Sequence, residues 1–116
     1  MIDEKMVTLA KLIHGKTIKG KIKWERTGKK TAFQASFNEC TIKISQENDQ
    51  NDDINFYSIS LYNNEGLLAE EATEYELMNI WGEAKQSLRE LYFHARRIAL
   101  GADKTIDEII ASLESS

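Results

Sequence analysis

Few residues in this chain carry reactive groups. One cysteine, Cys40, and two histidines, His14 and His94, are the only thiol and imidazole groups among 116 residues. Cys40, His94 and Glu90 together could supply a nucleophile, a base and a group that orients the base. The alternation of residue types around Cys40 instead predicts that it faces the core beside Ile42. We therefore interpret Cys40 as a buried structural cysteine.

The sequence carries none of the short motifs that mark the common enzyme classes. It has no glycine-rich phosphate loop, no Cys-x-x-Cys or His-x-Glu spacing and no Gly-x-Ser-x-Gly. Its two histidines lie far apart and match no zinc or haem spacing. We predict no catalytic residues, no metal ligands and no cofactor. A small hydrolase or transferase with a carboxylate-only site stays open as an alternative, because such sites leave weak sequence traces.

Basic residues concentrate between Lys16 and Lys30. This segment holds seven Lys or Arg and one acid, Glu25, and Trp24 lies among them. A basic sheet face beside an aromatic ring is typical of platforms for single-stranded nucleic acid. The residues that could contact nucleic acid or another anion are Lys19, Lys21, Lys23, Lys29 and Lys30.

A structural explanation of these lysines is nevertheless favoured. Lysines at alternate positions of an edge strand prevent it from pairing with other sheets. In such a strand Trp24 faces the core, on the side opposite the lysines, whereas base stacking needs the ring beside the cations. A pI near 5.2 is also untypical of a dedicated nucleic-acid-binding protein. Nucleic acid is therefore the less favoured partner.

A second group of basic residues lies in the C-terminal half of the predicted long helix: Arg89, His94, Arg96 and Arg97. Cations there complement the negative end of the helix dipole, and Glu90 can pair with His94 one turn later. Helix stabilisation accounts for most of this cluster, and contact with a partner is the alternative. The residues that could contact a protein partner or a second copy are Leu91, Tyr92, Phe93, Arg96 and Arg97.

The composition is that of one compact soluble domain. Of the 116 residues, 41% are hydrophobic and 29% charged, with no proline. Residues 1–45 carry a net charge of +6 and residues 46–116 a net charge of −10, so the surface is strongly dipolar. No apolar run approaches 18 residues, and the N-terminus has acids where a signal peptide needs bases. We expect a cytoplasmic protein without a membrane span.

Residue periodicity predicts a helix followed by strands in the first 70 residues. Asp3 caps a short helix that runs to His14 and ends at Gly15. From Lys19 the period changes to two, and further alternating runs follow at 33–37, 40–44, 57–62 and 67–70. Residues 46–53 contain no apolar side chain and are predicted to form a mobile acidic loop. Short connections make the strands an antiparallel meander.

Two helices are predicted after the strands. Thr73 and Glu76 form a capping box, and an apolar stripe then continues to Gly101. A last helix is capped by Asp103 or Thr105, and residues 114–116 fray. Its predicted buried side consists of Ile106, Ile109, Ile110 and Leu113.

The predicted long helix is longer than the diameter of the compact domain that must cover it. From residue 73 to residue 100 it would span roughly 40 Å, whereas a compact chain of this length is roughly 35 Å across. Either the helix breaks near Gly82, or its end overhangs and packs against a second copy. We favour the dimer, because the segment from Leu91 to Ile98 has apolar residues on more than one side.

These elements predict an α+β fold: an N-terminal helix, a four- to five-stranded antiparallel meander, a long helix on one sheet face and a short C-terminal helix. Over residues 5–114 the chain resembles a family of small uncharacterised bacterial α/β proteins. The resemblance rests on Trp24 with Thr27, Phe33 with Ala35, Ile42 with Ile44, the strand from Tyr57 to Tyr62 before the Gly66 turn, and Leu91-Tyr92 before Ala95-Arg96-Arg97. It implies no activity. We therefore predict a non-catalytic bacterial accessory or regulatory protein that acts through contacts with a protein partner.

Overall fold

The computed structural model describes residues 3–116 and has an α+β fold. Its elements, in chain order, are α1 (Glu4–Ile18), β1 (Glu25–Arg26), β2 (Ala32–Phe37), β3 (Cys40–Asp49), β4 (Ile54–Tyr62), β5 (Leu68–Thr73), α2 (Glu74–Leu77), α3 (Ala84–Leu100) and α4 (Ala102–Glu114). The five strands pair in sequence order and every pair is antiparallel. The predicted meander is therefore confirmed, with five strands.

One face of the sheet carries the core. Strand alternation places apolar side chains such as Phe33, Ile44 and Ile59 on this face, and all three are buried. α3 lies across β1–β4, and α1 packs against α3 beside it. The two helices complete one continuous hydrophobic core with the sheet. The sheet therefore needs only one covering layer of helices.

The N-terminal helix is longer than the sequence predicts. Asp3 is its N-cap as expected, and the Asp3 carboxylate accepts a hydrogen bond from the Met6 N–H at 3.1 Å. The helix does not stop at Gly15 but continues for one more turn, and the chain then turns at Gly20 with φ +71°. A buried Thr17 holds this last turn against the core. Glycine inside a helix is unfavourable by about 1 kcal/mol, which tertiary contacts outweigh here.

The basic strand predicted from Lys19 is mostly not a strand. Only Glu25–Arg26 pairs in the sheet, and the preceding residues form an irregular connection from α1. The predicted alternation of burial is still present: Ile22 and Trp24 are buried, whereas Lys19, Lys21 and Lys23 are exposed. Alternating burial therefore predicted the correct side for each residue but did not by itself establish a hydrogen-bonded strand.

The predicted loop at residues 46–53 is half as long as expected. Gln46 to Asp49 belong to β3 and pair with residues of β4 from Ile54 to Tyr57. The side chain of Asn48 donates to Asn55 Oδ1 at 2.9 Å across this pair. Backbone pairing does not require apolar side chains, so hydropathy alone could not detect these strand ends. The connection itself is only residues 50–53.

The predicted single long helix is broken. The capping box of Thr73 and Glu76 is present, but α2 ends at Leu77 and turns at 78–83 precede α3. Leu77 and Trp81, on either side of the first turn residues, are both buried in the core. The alternative of a break near Gly82 is correct, and the overhanging helix on which the dimer argument depended is wrong. α3 ends at Gly101 as predicted, in the left-handed conformation.

The last helix is not packed as predicted. α4 starts directly after Gly101, and neither Asp103 nor Thr105 is its N-cap. None of its residues is buried, including the four aliphatic residues predicted to form its buried side. The stripe in the sequence is real, but no other element within residues 3–116 buries it.

Candidate functional site

The cysteine and histidines do not form a catalytic group. Cys40 is exposed at the hairpin end of β3, where the helices do not cover it, so the predicted burial of this residue is wrong. Glu90 contacts His14 Nε2 at 3.0 Å rather than His94. His94 and Cys40 line different cavities. Within residues 3–116 no cluster of three or more His, Cys, Asp or Glu side chains could hold a metal ion.

The structure brings two of the predicted anion-binding lysines together with a predicted partner-contact arginine. Lys29 and Lys30, in the turn between β1 and β2, line a cleft of about 370 Å³ together with Arg96 of α3 and Arg26 of β1. Phe33 and Leu100 add apolar surface to the same cleft. We call this feature the basic cleft. Lys19, Lys21 and Lys23 do not line it.

Local structure fixes the basic cleft from two sides. Arg26 pairs with Phe33 across β1 and β2. Thr27 Oγ1 organises the following turn, since it accepts from the Lys29 N–H at 3.1 Å and donates to the carbonyl of Lys29 or Ala32, each at 2.9 Å. On the other side, Arg96 and Leu100 are four residues apart and share one face of α3. The cations thus come from two separate parts of the fold, the β1–β2 hairpin and α3.

Most of the charge in the basic cleft is not neutralised by neighbouring acids. Lys29 Nζ lies 3.6 Å from a carboxylate oxygen of Glu47. In the part of the chain that the structure describes, Arg26, Lys30 and Arg96 have no carboxylate within 4.0 Å. The field of Arg96 extends to Tyr92: burial raises the pKa of the Tyr92 phenol, and the Arg96 cation opposes this only in part.

The five predicted partner-contact residues do not form one surface. Leu91 and Tyr92 are buried in the core, so their side chains are not available to a partner. Phe93 is 41% exposed. Arg96 lines the basic cleft, and Arg97 pairs with Asp103 at the start of α4. The partner contact predicted on α3 is therefore reduced to Phe93, Arg96 and Arg97, which are exposed and neighbour one another on α3.

Within residues 3–116, α4 carries more exposed large hydrophobic side chains than any other helix. Its four branched aliphatic side chains, spaced along one face, are 44%, 55%, 48% and 69% exposed at Ile106, Ile109, Ile110 and Leu113 respectively. The Cα radius of gyration is 15.7 Å, compared with about 13 Å expected for a compact chain of this length. This larger radius agrees with α4 projecting from the rest of the domain. The sequence predicted this apolar stripe correctly, but it also predicted that the stripe would be buried within the same chain.

The two sides of the α4 apolar face differ in charge. At 3.6 residues per turn, Asp103, Asp107 and Glu114 lie about 70–110° to one side of its centre, a set we call the acidic flank. Thr105 and Ser112 lie about 90–110° to the other side and are neutral. All of these side chains are exposed. A partner of α4 therefore meets carboxylates along one edge only.

No helix within residues 3–116 is both long enough and apolar enough to cross a membrane. Comparison of the chain with protein-family models, with curated proteins and with solved structures gave no significant match.

Proposed function

We propose that this chain is a non-catalytic interaction module that docks on a protein partner through the apolar face of α4. The observation that supports the proposal is that this face is about half exposed or more, in a helix that has no buried residue. Burial of one aliphatic side chain is worth about 1.5–3 kcal/mol, and an isolated helix of this length is marginal in water. A partner that covers the face stabilises both the helix and the complex.

The acidic flank indicates the chemistry of the partner. In an antiparallel pair of two α4 helices, the two-fold axis places the same flank of each helix together, so Asp107 and Glu114 would meet like charges, whereas Asp103 is already paired with Arg97. A parallel pair would leave these carboxylates beside Thr105 and Ser112, without cations. An apolar groove with Lys or Arg along one rim satisfies both the aliphatic face and the acidic flank.

The size of α4 also favours a groove over a second α4. Its 13 residues span about 20 Å. A stable protein interface buries about 1,600 Å² in total, and a single pair of helices this short supplies only part of that area. A groove that surrounds the helix on both flanks buries more of it. We therefore propose a different protein as the partner and retain the homodimer as an outcome of the experiment.

Photo-crosslinking in the full-length chain tests this proposal. A photoreactive amino acid at Ile109, on the apolar face, is compared with the same amino acid at Ala111, on the opposite face. We expect one defined partner to crosslink at position 109 and not at 111, and Asp107→Lys to weaken the crosslink. Equal crosslinking at both positions, or crosslinks only between copies of the chain with a dimeric mass in light scattering, would contradict it.

Nucleic-acid binding through residues 16–30 is the second candidate function. The observation in its favour is that the fold places Arg96 of α3 beside Lys29 and Lys30, which enlarges the basic surface. Binding of an oligonucleotide to such a surface must weaken steeply with salt. Fluorescence anisotropy at 50 and 200 mM salt measures this dependence, and Lys30→Glu should weaken binding and reduce the salt dependence if the surface is used.

The cellular setting also belongs to the proposal. We propose that the protein is a bacterial accessory or regulatory factor that acts in the cytoplasm. The exposed, unpaired thiol of Cys40 supports a reducing compartment, where such thiols persist.

A further inference from the structure

We infer that the basic cleft binds the phosphate group of a small phosphorylated metabolite, of the size of a mononucleotide. This ligand site is separate from the apolar face of α4 and does not depend on the docking proposed above. It rests on the charge, the geometry and the size of the cleft that Arg26, Lys29, Lys30 and Arg96 line.

The positive charge of the basic cleft favours a compact anion as its ligand. Four cations line it, and among the described residues 3–116 only Lys29 has a carboxylate partner, Glu47. Like charges that converge on one cavity repel one another, and a bound anion removes this repulsion. A phosphate monoester carries a charge of about −1.5 to −2 near pH 7, more than a single carboxylate does. It therefore matches the surplus charge better.

The types of cation and their placement fit a phosphate group. The guanidinium groups of Arg26 and Arg96 can each donate two parallel hydrogen bonds to phosphate oxygens. They lie on different elements, β1 and α3, so they approach the cleft from two sides. Lys30 supplies a point charge from the turn. A phosphate with three terminal oxygens can satisfy donors from several directions at once.

The size and the apolar part of the cleft point to a small organic phosphate rather than a polymer. A volume of about 370 Å³ lies near the lower end of the range for small-molecule sites, about 300–1,000 Å³. Leu100, which is 44% exposed, offers apolar contact to a base or sugar. Such sites combine apolar walls with a few placed polar groups.

Nuclear magnetic resonance titration of the full chain tests this inference, with AMP, adenosine and inorganic phosphate as probes at 50 mM salt. We expect saturable shifts of the backbone amides of Gly28 to Lys30 with AMP and none with adenosine. Arg96→Gln and Lys30→Gln should each weaken AMP binding about tenfold or more, the effect of one charge-assisted hydrogen bond. Lys85→Gln removes a charge from the other end of α3 and should change the affinity less than twofold.

Several outcomes would overturn the inference. These are equal binding of AMP and adenosine, equal effects of Arg96→Gln and Lys85→Gln, and no saturation by AMP at millimolar concentration. Tighter binding of an oligonucleotide without a terminal phosphate than of AMP would assign the cleft to nucleic acid instead. Circular dichroism confirms that each variant is folded, and Lys30→Gln, in an exposed turn, remains informative if Arg96→Gln unfolds. Ile109→Asp, which disables the α4 face, should leave AMP binding unchanged.

Discussion

The indole Nε1–H of Trp24 donates a hydrogen bond to Thr17 Oγ1 across 2.9 Å, and both side chains are buried. This bond joins the last turn of α1 to the segment that enters β1. It satisfies the one polar atom of an otherwise apolar side chain, as buried tryptophan requires. It also keeps Trp24 in the core while the neighbouring lysines stay in solvent.

Trp24→Ala is expected to lower the free energy of unfolding by about 3–5 kcal/mol, because it removes a large buried side chain and leaves Thr17 without its donor. Trp24→Phe keeps most of the apolar surface and should lose less. Lys21→Glu, three residues away and exposed, is the control and should change stability by less than about 0.5 kcal/mol. Urea denaturation measures all three, and an unchanged midpoint for Trp24→Ala would refute the core assignment.

The buried carboxylate of Glu74 anchors the sheet to α2. Its Oε1 accepts a hydrogen bond from the Tyr57 N–H at 2.9 Å, and within the described chain its Oε2 is buried without a partner. Glu74→Ala should cost about 1–3 kcal/mol, because it leaves a buried N–H unsatisfied. Glu74→Gln keeps an oxygen acceptor for the Tyr57 N–H, so it should lose less stability than Glu74→Ala. Equal losses for both variants in urea denaturation would contradict this.

The connection between β3 and β4 should accept a two-residue turn. Asp49 pairs with Ile54, just as Phe37 pairs with Cys40 across the two-residue turn at 38–39. Replacing residues 50–53 by Asn-Gly therefore preserves the register and should leave the melting temperature within a few degrees. Removing 46–53 deletes paired strand as well and should lower it strongly. Similar melting temperatures for the two deletions would show that the ends of β3 and β4 add nothing to stability.

The raised pKa of Tyr92 predicts loss of stability at high pH. Burial disfavours the phenolate in the folded state, so the unfolded chain releases the proton at a lower pH than the folded one does. This stabilising term is fully present below about pH 10 and is lost as the pH rises through the folded-state pKa. The melting temperature should fall above about pH 10 more steeply for the native protein than for Tyr92→Phe. Parallel curves for the two proteins from pH 8 to 11 would disprove the assignment.

The exposed thiol of Cys40 should react in the folded protein. We expect Ellman's reagent to modify it under native conditions at a rate within about tenfold of that in urea, because the side chain lies at the surface. Cys40→Ser should remove the reaction and leave stability nearly unchanged. A thiol that reacts only after unfolding would restore the buried interpretation.

Several features follow from the sequence alone, because they depend on local chemistry. The N-cap at Asp3, the capping box at Thr73, the left-handed Gly101 and the strand alternation that buries Phe33 and Ile44 each use residues close together along the chain. These local signals together predict an antiparallel sheet with helices. Their agreement is why the fold class is confirmed.

Other features are decided only by tertiary contacts. The chain turns at 78–83 although Leu77 and Trp81, four residues apart, would share one face of a continuous helix, and the exposure of Cys40 depends on where the helical layer ends. The basic cleft joins Lys30 to Arg96, 66 residues apart, so no local pattern contains it. For α4, the sequence determined which face is apolar, and only the three-dimensional structure showed that no part of residues 3–116 buries it. An amphipathic stripe specifies the side of a helix that needs cover but carries no information on which surface supplies the cover.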